Sequence, residues 1–421
     1  MNTLASPAAA TRVPALQTQV MQVRAQTLAL IEPLTPEDCV VQSAPETSPA
    51  KWHLAHTTWF FETFILLPYA SGYTAFDAQF AYLFNSYYES VGAFHPRRDR
   101  GLLTRPTLDT VRRYRAHVDA ALAKLLADPP PSHADDIALR ARLGLHHEQQ
   151  HQELLLTDIK HLFWCNPQRP VYRASPAEAR KPAHTLGWLS VDGGLCEIGH
   201  DGSGFAFDNE SPRHPVHLEP FRIASRPVTN ADYIAFIEDG GYRQATLWLS
   251  DGWQTVHELG WQAPPYWELR DGEWWQMTLS GMRPVEPAEP VCHVSYYEAD
   301  AFARWAGKRL PTEAEWEVCA ATRSQEGNFM ESGRLHPRPC AGDSAFFGDV
   351  WEWTASAYLP YPGFRASGGA LGEYNGKFMV NQMVLRGGSC VTPRSHIRAS
   401  YRNFFYARDR WQFKGLRLAD G

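Results

Sequence analysis

The sequence has no long apolar run and no strong excess of charge of one sign. Its 421 residues carry 40 Lys and Arg against 46 Asp and Glu, a formal net charge of −6. The basic residues are scattered apart from a short run at Arg97, Arg98 and Arg100, whereas nucleic-acid-binding domains concentrate basic charge in a patch. No stretch reaches the roughly 18 apolar residues that a membrane span requires. We therefore expect neither a nucleic acid nor a membrane as a partner.

The sequence also lacks the signals of secretion. Its amino-terminal segment, MNTLASPAAATRVPA, contains no basic stretch followed by an apolar block, so no signal peptide is expected. Its seven cysteines are odd in number, widely spaced and without a Cys-x-x-Cys pair, which argues against a disulfide framework or a zinc ribbon. We expect reduced and mostly buried thiols in a cytoplasmic protein.

Aromatic residues, by contrast, are abundant. The 15 Trp, 17 Tyr and 21 Phe make up 13% of the chain, which is typical of a loop-rich fold packed by large rings. The length is about two to three times that of a typical single domain, so two domains are expected.

Residues 1–165 are predicted to form a helical domain. Apolar residues recur there at spacings of three and four in four segments. The second helix is expected to begin at Ser48 and Pro49, with a hydroxyl cap before a proline in the first turn. Four helices with one long connection, between about 67 and 105, favour a four-helix bundle. The predicted helical segments are 16–31, 48–66, 108–126 and 132–163.

Residues 166–186 are predicted to be a linker, because this stretch is rich in Pro, Arg and Ala. From residue 187 to 421 the sequence pattern changes, and Gly-Gly, Gly-Trp, Asp-Gly and Pro-Pro pairs separate short apolar runs. Only one helix is expected there, around Tyr297–Trp305. We therefore predict a second domain of short strands and long loops, and an α+β fold for the chain.

A candidate metal site lies in the helical domain. His147 and His151 stand four residues apart in LHHEQQHQE, so both imidazoles project from one helix face, with Cβ atoms about 5–6 Å apart. His56, in WHLAHTTWFFE, can supply a third ligand from a facing helix, as in other bundle cores. Glu148 and Glu153 flank the pair and are candidates to support the ligands by hydrogen bonds.

The residue pattern leaves both the ligand set and the metal open. His53, His146 and His161 compete as ligands, and His53 lies three residues before His56 on nearly the same helix face. Neutral imidazoles suit Zn, Fe, Cu or Ni, so the ligand type does not identify the metal. The run 147–151 also fits the HExxH pattern of metalloproteases, but that interpretation leaves the second half of the chain unexplained.

The second half resembles the family of formylglycine-generating enzymes and sulfatase-modifying factors. The pair KRLPTEAEWE and VWEWT is rarely seen outside this fold. The family's oxidase activity depends on two neighbouring cysteines near the C-terminus, and no cysteine follows Cys390 here, so formylglycine formation is not expected. The matching stretches, which span most of residues 187–421, are GGLCEIGHD (193–201), ESPRHPVHLEPFRIASRPVTNADY (210–233), PVCHVSYYEADAFARWAGKRLPTEAEWE (290–317), GDVWEWT (348–354) and VLRGGSC (384–390).

The first half is similar to DinB-type helical domains, and the combination resembles the ergothioneine-type sulfoxide synthases over nearly the whole chain. In that family WxLAH supplies one iron ligand and HEQQH supplies two, which implies His56, His147 and His151 as Fe(II) ligands and leaves out His53. The resemblance implies an enzyme that uses O2 to join the imidazole C2 of Nα-trimethylhistidine (hercynine) to the sulfur of cysteine or γ-glutamylcysteine, leaving a sulfoxide. Its active site is expected where the two domains meet.

The resemblance also implies roles for residues of the helical domain. Gln150, within HEQQH, is expected to hold the imidazole substrate. Tyr87 or Tyr88, in LFNSYYES, is expected to supply a proton, although other branches place this phenol in the C-terminal domain. Independently of the resemblance, Arg97 and Arg100 lie three apart in FHPRRDRG. On a helical turn they would point the same way, as a clamp for the carboxylates of an amino-acid thiol.

Further substrate contacts are expected near the C-terminus. Asn403, Phe404 and Phe405 match the family's substrate-facing stretch, and their rings are expected to form an aromatic wall for the quaternary ammonium of hercynine. Trp411 and Gln412 follow in a segment that lines the family's pocket.

Three alternative functions stay open. A related synthase uses a selenosugar donor and makes selenoneine, although the arginine pair favours a carboxylate-bearing donor. A synthase acting on unmethylated histidine at C5, as in ovothiol biosynthesis, usually carries a methyltransferase domain that this sequence does not contain. The third alternative is a metal-dependent thiol transferase or a non-catalytic binding module, which iron content and O2 uptake would separate from an oxygenase.

Overall fold

The computed structural model describes residues 12–175, 182, 184–340, 346–366 and 368–421. The chain divides into two compact units, the first ending at Cys165 and the second beginning at Asn166, with Gly369–Leu371 grouped with the first. The expectation of no signal peptide falls mostly on residues 1–11, which lie outside the described ranges.

The first unit is helical, as predicted. The helices described in it are α1 (Arg12–Ile31), α2 (Ala50–Phe61), α3 (Leu67–Tyr69), α4 (Phe80–Phe84), α5 (Leu108–Ala127) and α6 (Ala134–Cys165). The four long helices α1, α2, α5 and α6 pack against one another. Helix α2 runs directly into a π-helical turn at Glu62–Leu66, and a 3-10 turn at Arg97–Leu102 lies between α4 and α5.

The helix starts follow from local sequence, with one difference from expectation. Helix α5 begins after Thr107, whose hydroxyl accepts a hydrogen bond from the Thr110 amide (3.2 Å). The prediction for α2 was wrong, because Pro49 itself is the N-cap and no side chain caps the helix. The Ser48 hydroxyl instead accepts a hydrogen bond from Arg100 Nη1 (2.9 Å).

A glycine allows α2 and α6 to approach closely. A Cβ atom at Gly144 would lie 2.8 Å from the Phe61 ring and 3.1 Å from the Phe60 ring, closer than side chains normally pack. Gly144 lies one turn before His147 on α6. The absence of a side chain there therefore brings α2 against the part of α6 that carries the histidine pair.

The second unit consists of small sheets joined by loops, as predicted. In the part of the chain that the structure describes, a four-stranded sheet has the order β12-β11-β10-β13, and two three-stranded sheets have the orders β1-β4-β14 and β5-β6-β7. Two-stranded pairs are formed by β2 with β3 and by β8 with β9. The strands are β1 (Trp188–Val191), β2 (Gly194–Ile198), β3 (His214–Leu218), β4 (Phe221–Ala224), β5 (Trp267–Arg270), β6 (Glu273–Thr278), β7 (Gly281–Pro284), β8 (Gly327–Asn328), β9 (Phe347–Gly348), β10 (Trp351–Ala357), β11 (Gln382–Arg386), β12 (Asn403–Tyr406), β13 (Lys414–Leu416) and β14 (Ala419–Asp420).

The expectation of a single helix in this unit was wrong. Four α-helices lie in its described ranges: α7 (Asn230–Glu238), α8 (Ser250–Leu259), α9 (Tyr296–Trp305) and α10 (Glu313–Ala321). Helices α7, α9 and α10 each begin with a capping box, in which a hydroxyl and a carboxylate three residues later cap each other's backbone amides. The sequence contains these hydroxyl–carboxylate pairs, but the Gly and Pro residues around them led to a prediction of loops.

The two signature motifs of the second unit meet in its core. Trp316, on α10, donates from Nε1 to Glu352 Oε2 on β10 (2.7 Å), and Arg417 pairs with the same carboxylate (2.8 Å). Trp316 and Trp353 are fully buried. A buried carboxylate that is bound by both an indole and a guanidinium fixes helix and sheet in one register.

The predicted linker is paired with the second unit where its first residues are described. The backbone amides of Tyr172 and Arg173 both donate to the carbonyl of Leu279 (3.0 and 3.1 Å). Its residues 176–181 and 183 lie outside the described ranges, so the proposed boundaries 1–165, 166–186 and 187–421 stay a prediction. Five of the seven cysteines are buried. Within the described residues, no helix is long and apolar enough to cross a membrane.

Candidate metal centre

Three histidines of the first unit converge. Potential ligand nitrogens of His56, His147 and His151 all lie within 4.8 Å of one another, and this is the single group of His, Cys, Asp and Glu able to hold a metal among the described residues. His56 comes from α2, and the other two lie one turn apart on α6. The spacing that suggested the pair therefore does place both imidazoles on one face, toward α2.

His56 is held in one orientation by its own helix and by the chain that follows it. Its Nδ1 donates to the Phe84 carbonyl (2.6 Å), which leaves Nε2 as the nitrogen that carries the lone pair. Its ring lies between two indoles, Trp52 (centroids 4.5 Å apart, 11° between planes) and Trp59 (5.6 Å, 16°). These residues stand four before and three after His56, so the α-helical repeat itself builds the stack.

The three imidazoles are kept neutral by burial. Burial and the neighbouring His147 hold the pKa of His56 well below its usual range. Burial lowers the pKa of His147 to about 3. The pKa of His151 is likewise well below its ordinary value, because of burial and the proximity of His56 and His147. Metal ions bind the unprotonated imidazole nitrogen, so the cluster is ready to bind without first losing a proton.

The donor set fits a metal ion. Nε2 of His56 lies 3.2 Å from Nε2 of His147. Since His56 already donates through Nδ1, its Nε2 presents a lone pair toward a second imidazole in a buried space. A cation bound by both nitrogens satisfies them better than a hydrogen bond between two rings that cross at 77°.

His53, which the sequence could not separate from His56, lies beside the cluster rather than in it. Its Nδ1 is 2.9 Å from Nδ1 of His151, and its Nε2 is 3.0 Å from Asp158 Oδ2. Asp158 also accepts from the Ser48 amide (2.8 Å). Sequence reasoning missed Asp158, although its position seven residues after His151 places both on one face of α6.

Glu148 belongs to a separate ion cluster. It is fully buried and pairs with Arg24 of α1 (3.0 Å) and with Arg115 of α5, and it accepts from Thr27 Oγ1 (2.6 Å). Helix geometry turns it about 100° away from His147, so it serves the packing of α1 and α5 against α6. A carboxylate held by two arginines is a poor base, which removes the metalloprotease interpretation. Glu153 is buried as well.

The tyrosine pair lies in the aromatic cluster that surrounds the histidines. Tyr88 is fully buried, and its ring centroid lies 5.7 Å from that of Trp59. Tyr87 is half-buried and stacks on Tyr88, with centroids 4.6 Å apart and hydroxyl oxygens 3.5 Å apart. Gln150 is half-buried on α6, directly before His151.

Arg97 and Arg100 differ in burial, although the helical turn that we expected for them is present. Arg97 is exposed, whereas Arg100 is buried. The Arg100 guanidinium stacks over the Trp52 ring at 3.3 Å and donates to Ser48 Oγ (2.9 Å) and Ser86 Oγ (3.0 Å). Its buried Nε has no hydrogen-bond partner among the described residues.

The predicted substrate-facing strand is β12, where alternation separates the two phenylalanines. Asn403 and Phe405 point to one face and Phe404 to the other, so their rings do not form the continuous wall that we expected. Phe404 stacks on Tyr358 (centroids 4.1 Å apart), and the Phe405 ring faces the Lys414 ammonium at 4.2 Å.

Two further predicted site residues follow β12. The Trp411 ring lies edge-on to Phe405 (6.0 Å between centroids), and its carbonyl accepts from His293. Gln412 is buried, and its Oε1 accepts from the Phe413 amide (2.8 Å).

Comparison with known families divides the chain in the same way. The DinB superfamily model matches residues 19–155, and the sulfatase-modifying factor enzyme 1-like domain matches residues 173–342 and 337–421. Hercynine oxygenase of Mycolicibacterium thermoresistibile is 32% identical over 96% of this chain and 94% of its own length. Hercynine oxygenase of Mycobacterium tuberculosis is 33% identical over 96% of this chain and 98% of its own length. The formylglycine-generating enzyme of Streptomyces coelicolor is 38% identical, over 54% of this chain and 86% of its own length.

A DinB-type helical unit with a three-histidine centre, joined to a sulfatase-modifying-factor-type unit, defines a class of metal-centred oxygenases. Within that class, the similarity to the mycobacterial proteins extends over nearly the full length of both chains. The chain belongs to the hercynine oxygenase family and is an oxygenase enzyme.

Proposed function

We propose that this oxygenase is a sulfoxide synthase of ergothioneine biosynthesis. It would bind Fe(II) through His56, His147 and His151 and use O2 to join the imidazole C2 of hercynine to the sulfur of cysteine or γ-glutamylcysteine. The observation that carries the proposal is the convergence of three neutral imidazoles within 4.8 Å, on a chain whose relatives are hercynine oxygenases. Cofactor and substrates are all small, and no nucleic acid or membrane takes part.

Three protein ligands leave coordination positions for reactants. Bound there, Fe(II) would supply the one-electron chemistry that couples O2 reduction to formation of the carbon–sulfur bond. Three neutral ligands add no negative charge, so the ion's positive charge remains available to favour a thiolate over a thiol. The indoles on both sides of His56 exclude water from this side of the site.

The other predicted residues are assigned by what each can do. Gln150 can offer both a donor and an acceptor to an imidazole ring. The Tyr87 and Tyr88 hydroxyls lie within reach of each other, so either can deliver a proton while the other replaces it. Arg97 and Arg100 supply the charge for a carboxylate-bearing donor, and the unpartnered Arg100 Nε supports a ligand contact at that residue.

The second unit also carries residues that we propose as substrate contacts. Asn403 and Phe405 share a face of β12, with the Trp411 ring edge-on to Phe405. The proposed hercynine contacts remain Asn403, Phe404, Phe405, Trp411 and Gln412, of which Asn403 and Phe405 share one face of β12.

The test is anaerobic reconstitution with Fe(II), followed by O2 with hercynine and one donor at a time. Cysteine, γ-glutamylcysteine and a selenosugar are supplied separately, and products are read by mass spectrometry. We expect an adduct of hercynine with an amino-acid thiol that carries one additional oxygen. A selenium adduct formed much faster would assign the chain to selenoneine synthesis, and no adduct from any donor would refute the proposal. Histidine in place of hercynine tests the ovothiol-type reaction.

A further inference from the structure

We propose that His53 and Asp158 form a relay that fixes the tautomer of His151, and thereby sets which of its nitrogens is offered to the metal. His53 is a positioning residue in this scheme, not a ligand. The inference rests on the metal site of the proposed function and adds two residues to it.

The relay is continuous in the structure. Nδ1 of His151 lies 2.9 Å from Nδ1 of His53, and Nε2 of His53 lies 3.0 Å from Asp158 Oδ2. His53 and Asp158 are both buried. His53 comes from α2, whereas Asp158 follows His151 by two turns of α6, so the relay spans the same two helices as the metal ligands.

The proton positions follow from what each group can do. A carboxylate only accepts, so the His53 nitrogen that faces Asp158 must carry the hydrogen. In the neutral imidazole the other nitrogen, Nδ1, is then an acceptor, and His151 must donate to it through its own Nδ1–H. This leaves the lone pair of His151 on Nε2, where a metal requires it.

The carboxylate end of the relay is itself fixed. Asp158 Oδ2 accepts from the backbone amide of Ser48, two residues before α2 begins. Because this contact uses the backbone, it holds the carboxylate in place whatever its neighbours do. Histidine ligands of metals commonly donate to a carboxylate or a carbonyl, and His56 does so directly through Phe84. For His151 the corresponding carboxylate, that of Asp158, is reached through the His53 imidazole.

The relay also explains why the two candidate histidines of WHLAH differ. His53 and His56 stand three apart on one helix and are both buried. His56 donates through Nδ1 to a carbonyl and directs its Nε2 lone pair toward Nε2 of His147, 3.2 Å away, whereas His53 uses both ring nitrogens in hydrogen bonds with Asp158 and His151. Only the first arrangement leaves a nitrogen for a metal.

The test measures metal binding and tautomer, not turnover. Fe(II) affinity is determined anaerobically by competition with a chromophoric chelator for the wild type, His53→Phe, His53→Asn, Asp158→Asn and the double variant His53→Phe/Asp158→Asn. We expect His53→Phe to weaken Fe(II) binding by about 10- to 100-fold, the usual effect of losing such a partner. His53→Asn should recover part of this loss, because its amide oxygen can accept near the position of Nδ1. The double variant should match His53→Phe within about twofold, because Asp158 acts through His53.

A second measurement reports the tautomer directly in the metal-free protein. Long-range proton–nitrogen NMR of histidine-labelled protein should show His151 protonated on Nδ1 in the wild type, with its signals assigned by their loss in His151→Phe. In His53→Phe we expect the proton to shift toward Nε2. His161→Phe is the matched control, since His161 is also on α6 but its Nδ1 contacts Ser43 Oγ (2.7 Å) instead. Circular dichroism and thermal unfolding verify that each variant is folded.

The outcomes separate the relay from the metal site. Wild-type Fe(II) affinity in folded His53→Phe, or His151 protonated on Nε2 in the wild type, would overturn the relay and leave the metal site intact. A wild-type protein that binds no Fe(II) would overturn the proposed function itself. Equal losses in His53→Phe and His161→Phe would show a general effect of altering the helix pair, and would also count against the relay.

Discussion

Helix α6 carries two buried polar clusters that begin at adjacent residues, His147 and Glu148. The Glu148 cluster is charged and internally balanced, because the carboxylates of Glu148 and Asp119 offset the guanidiniums of Arg24 and Arg115. The histidine cluster is uncharged, and its ring nitrogens point at one another across 3.2 Å. Burying polar groups costs free energy unless they have partners. The ion cluster is neutralised within the chain, whereas the three histidines bring together neutral ring nitrogens of the kind that a metal ion binds.

Polar groups that hold a fold together therefore differ in their partners from polar groups that are suited to bind a ligand. Both clusters are fully buried at their centres, so burial does not separate them. The partners do. Three experiments test this difference.

Removing a ligand should abolish function and leave the fold. We expect His147→Ala to weaken Fe(II) binding more than about 100-fold and to eliminate turnover, since a missing ligand costs more than a missing supporting hydrogen bond. Metal content after dialysis and product formation by mass spectrometry measure both effects. Unfolding by urea should occur near the wild-type concentration in the absence of metal. Retained activity without bound iron would contradict the assignment of His147.

Removing the charge at the centre of the ion cluster should have the opposite effect. Glu148→Gln leaves Arg24 and Arg115 with Asp119 as their remaining carboxylate partner, so we expect it to destabilise the protein by about 3 kcal/mol. Urea unfolding of the metal-free protein measures the loss.

The matched control for Glu148→Gln is Asp109→Asn, which breaks an exposed pair with Arg113 and should cost less than about 1 kcal/mol. The Glu148→Gln protein that remains folded should still bind Fe(II). Wild-type stability together with complete loss of metal would assign Glu148 to the metal site instead.

Acidification should separate the two clusters by pH. The pKa of His147 is about 3 when folded and has an ordinary value of 6.5, so below pH 6.5 the unfolded chain binds a proton that the folded chain does not. Stability is therefore lost as the pH falls from 6.5 toward 3, by about 2 kcal/mol at pH 5 for this residue. Glu148, whose pKa is lowered from 4.5 by Arg115 and Arg24 against the effect of burial, contributes no such loss above pH 5.

The pH prediction is checked by urea unfolding of metal-free protein at pH 7.5 and pH 5. His147→Leu should reduce the difference between the two values by about 2 kcal/mol. Equal pH dependence in wild type and variant would show that His147 is not held neutral by burial.

Sequence patterns predicted the helices and the ligand residues of the site better than the hydrogen bonds between them. The four-residue spacing in HEQQH placed His147 and His151 on one face, and the helical unit around them is present as expected. Periodicity could not separate His53 from His56, because residues three apart on a buried helix differ by only about 60° in direction. The difference lies in the hydrogen-bond acceptors they meet, Asp158 and the Phe84 carbonyl, which are 105 and 28 residues away.

The same limit applies to residues whose role depends on distant partners. Arg97 and Arg100 look equivalent in FHPRRDRG, yet Trp52 and two serines bury one of them. In the second unit, the strand containing Phe404 and Phe405 was recognised by resemblance, but the alternation of β12 sends the two rings to opposite faces. Local patterns carry information about a helix face or a cap, whereas burial depends on chain segments that the pattern does not contain.

The stack of Trp52, His56 and Trp59 makes the tryptophan fluorescence of the protein sensitive to metal binding. Both indoles lie in contact with the imidazole, and an open-shell ion on that ring quenches indole emission at such a separation. Loading of the centre can therefore be followed by fluorescence without an added dye. Trp52→Phe and Trp59→Phe would each remove part of the signal, against a background of 13 other tryptophans whose emission should not change.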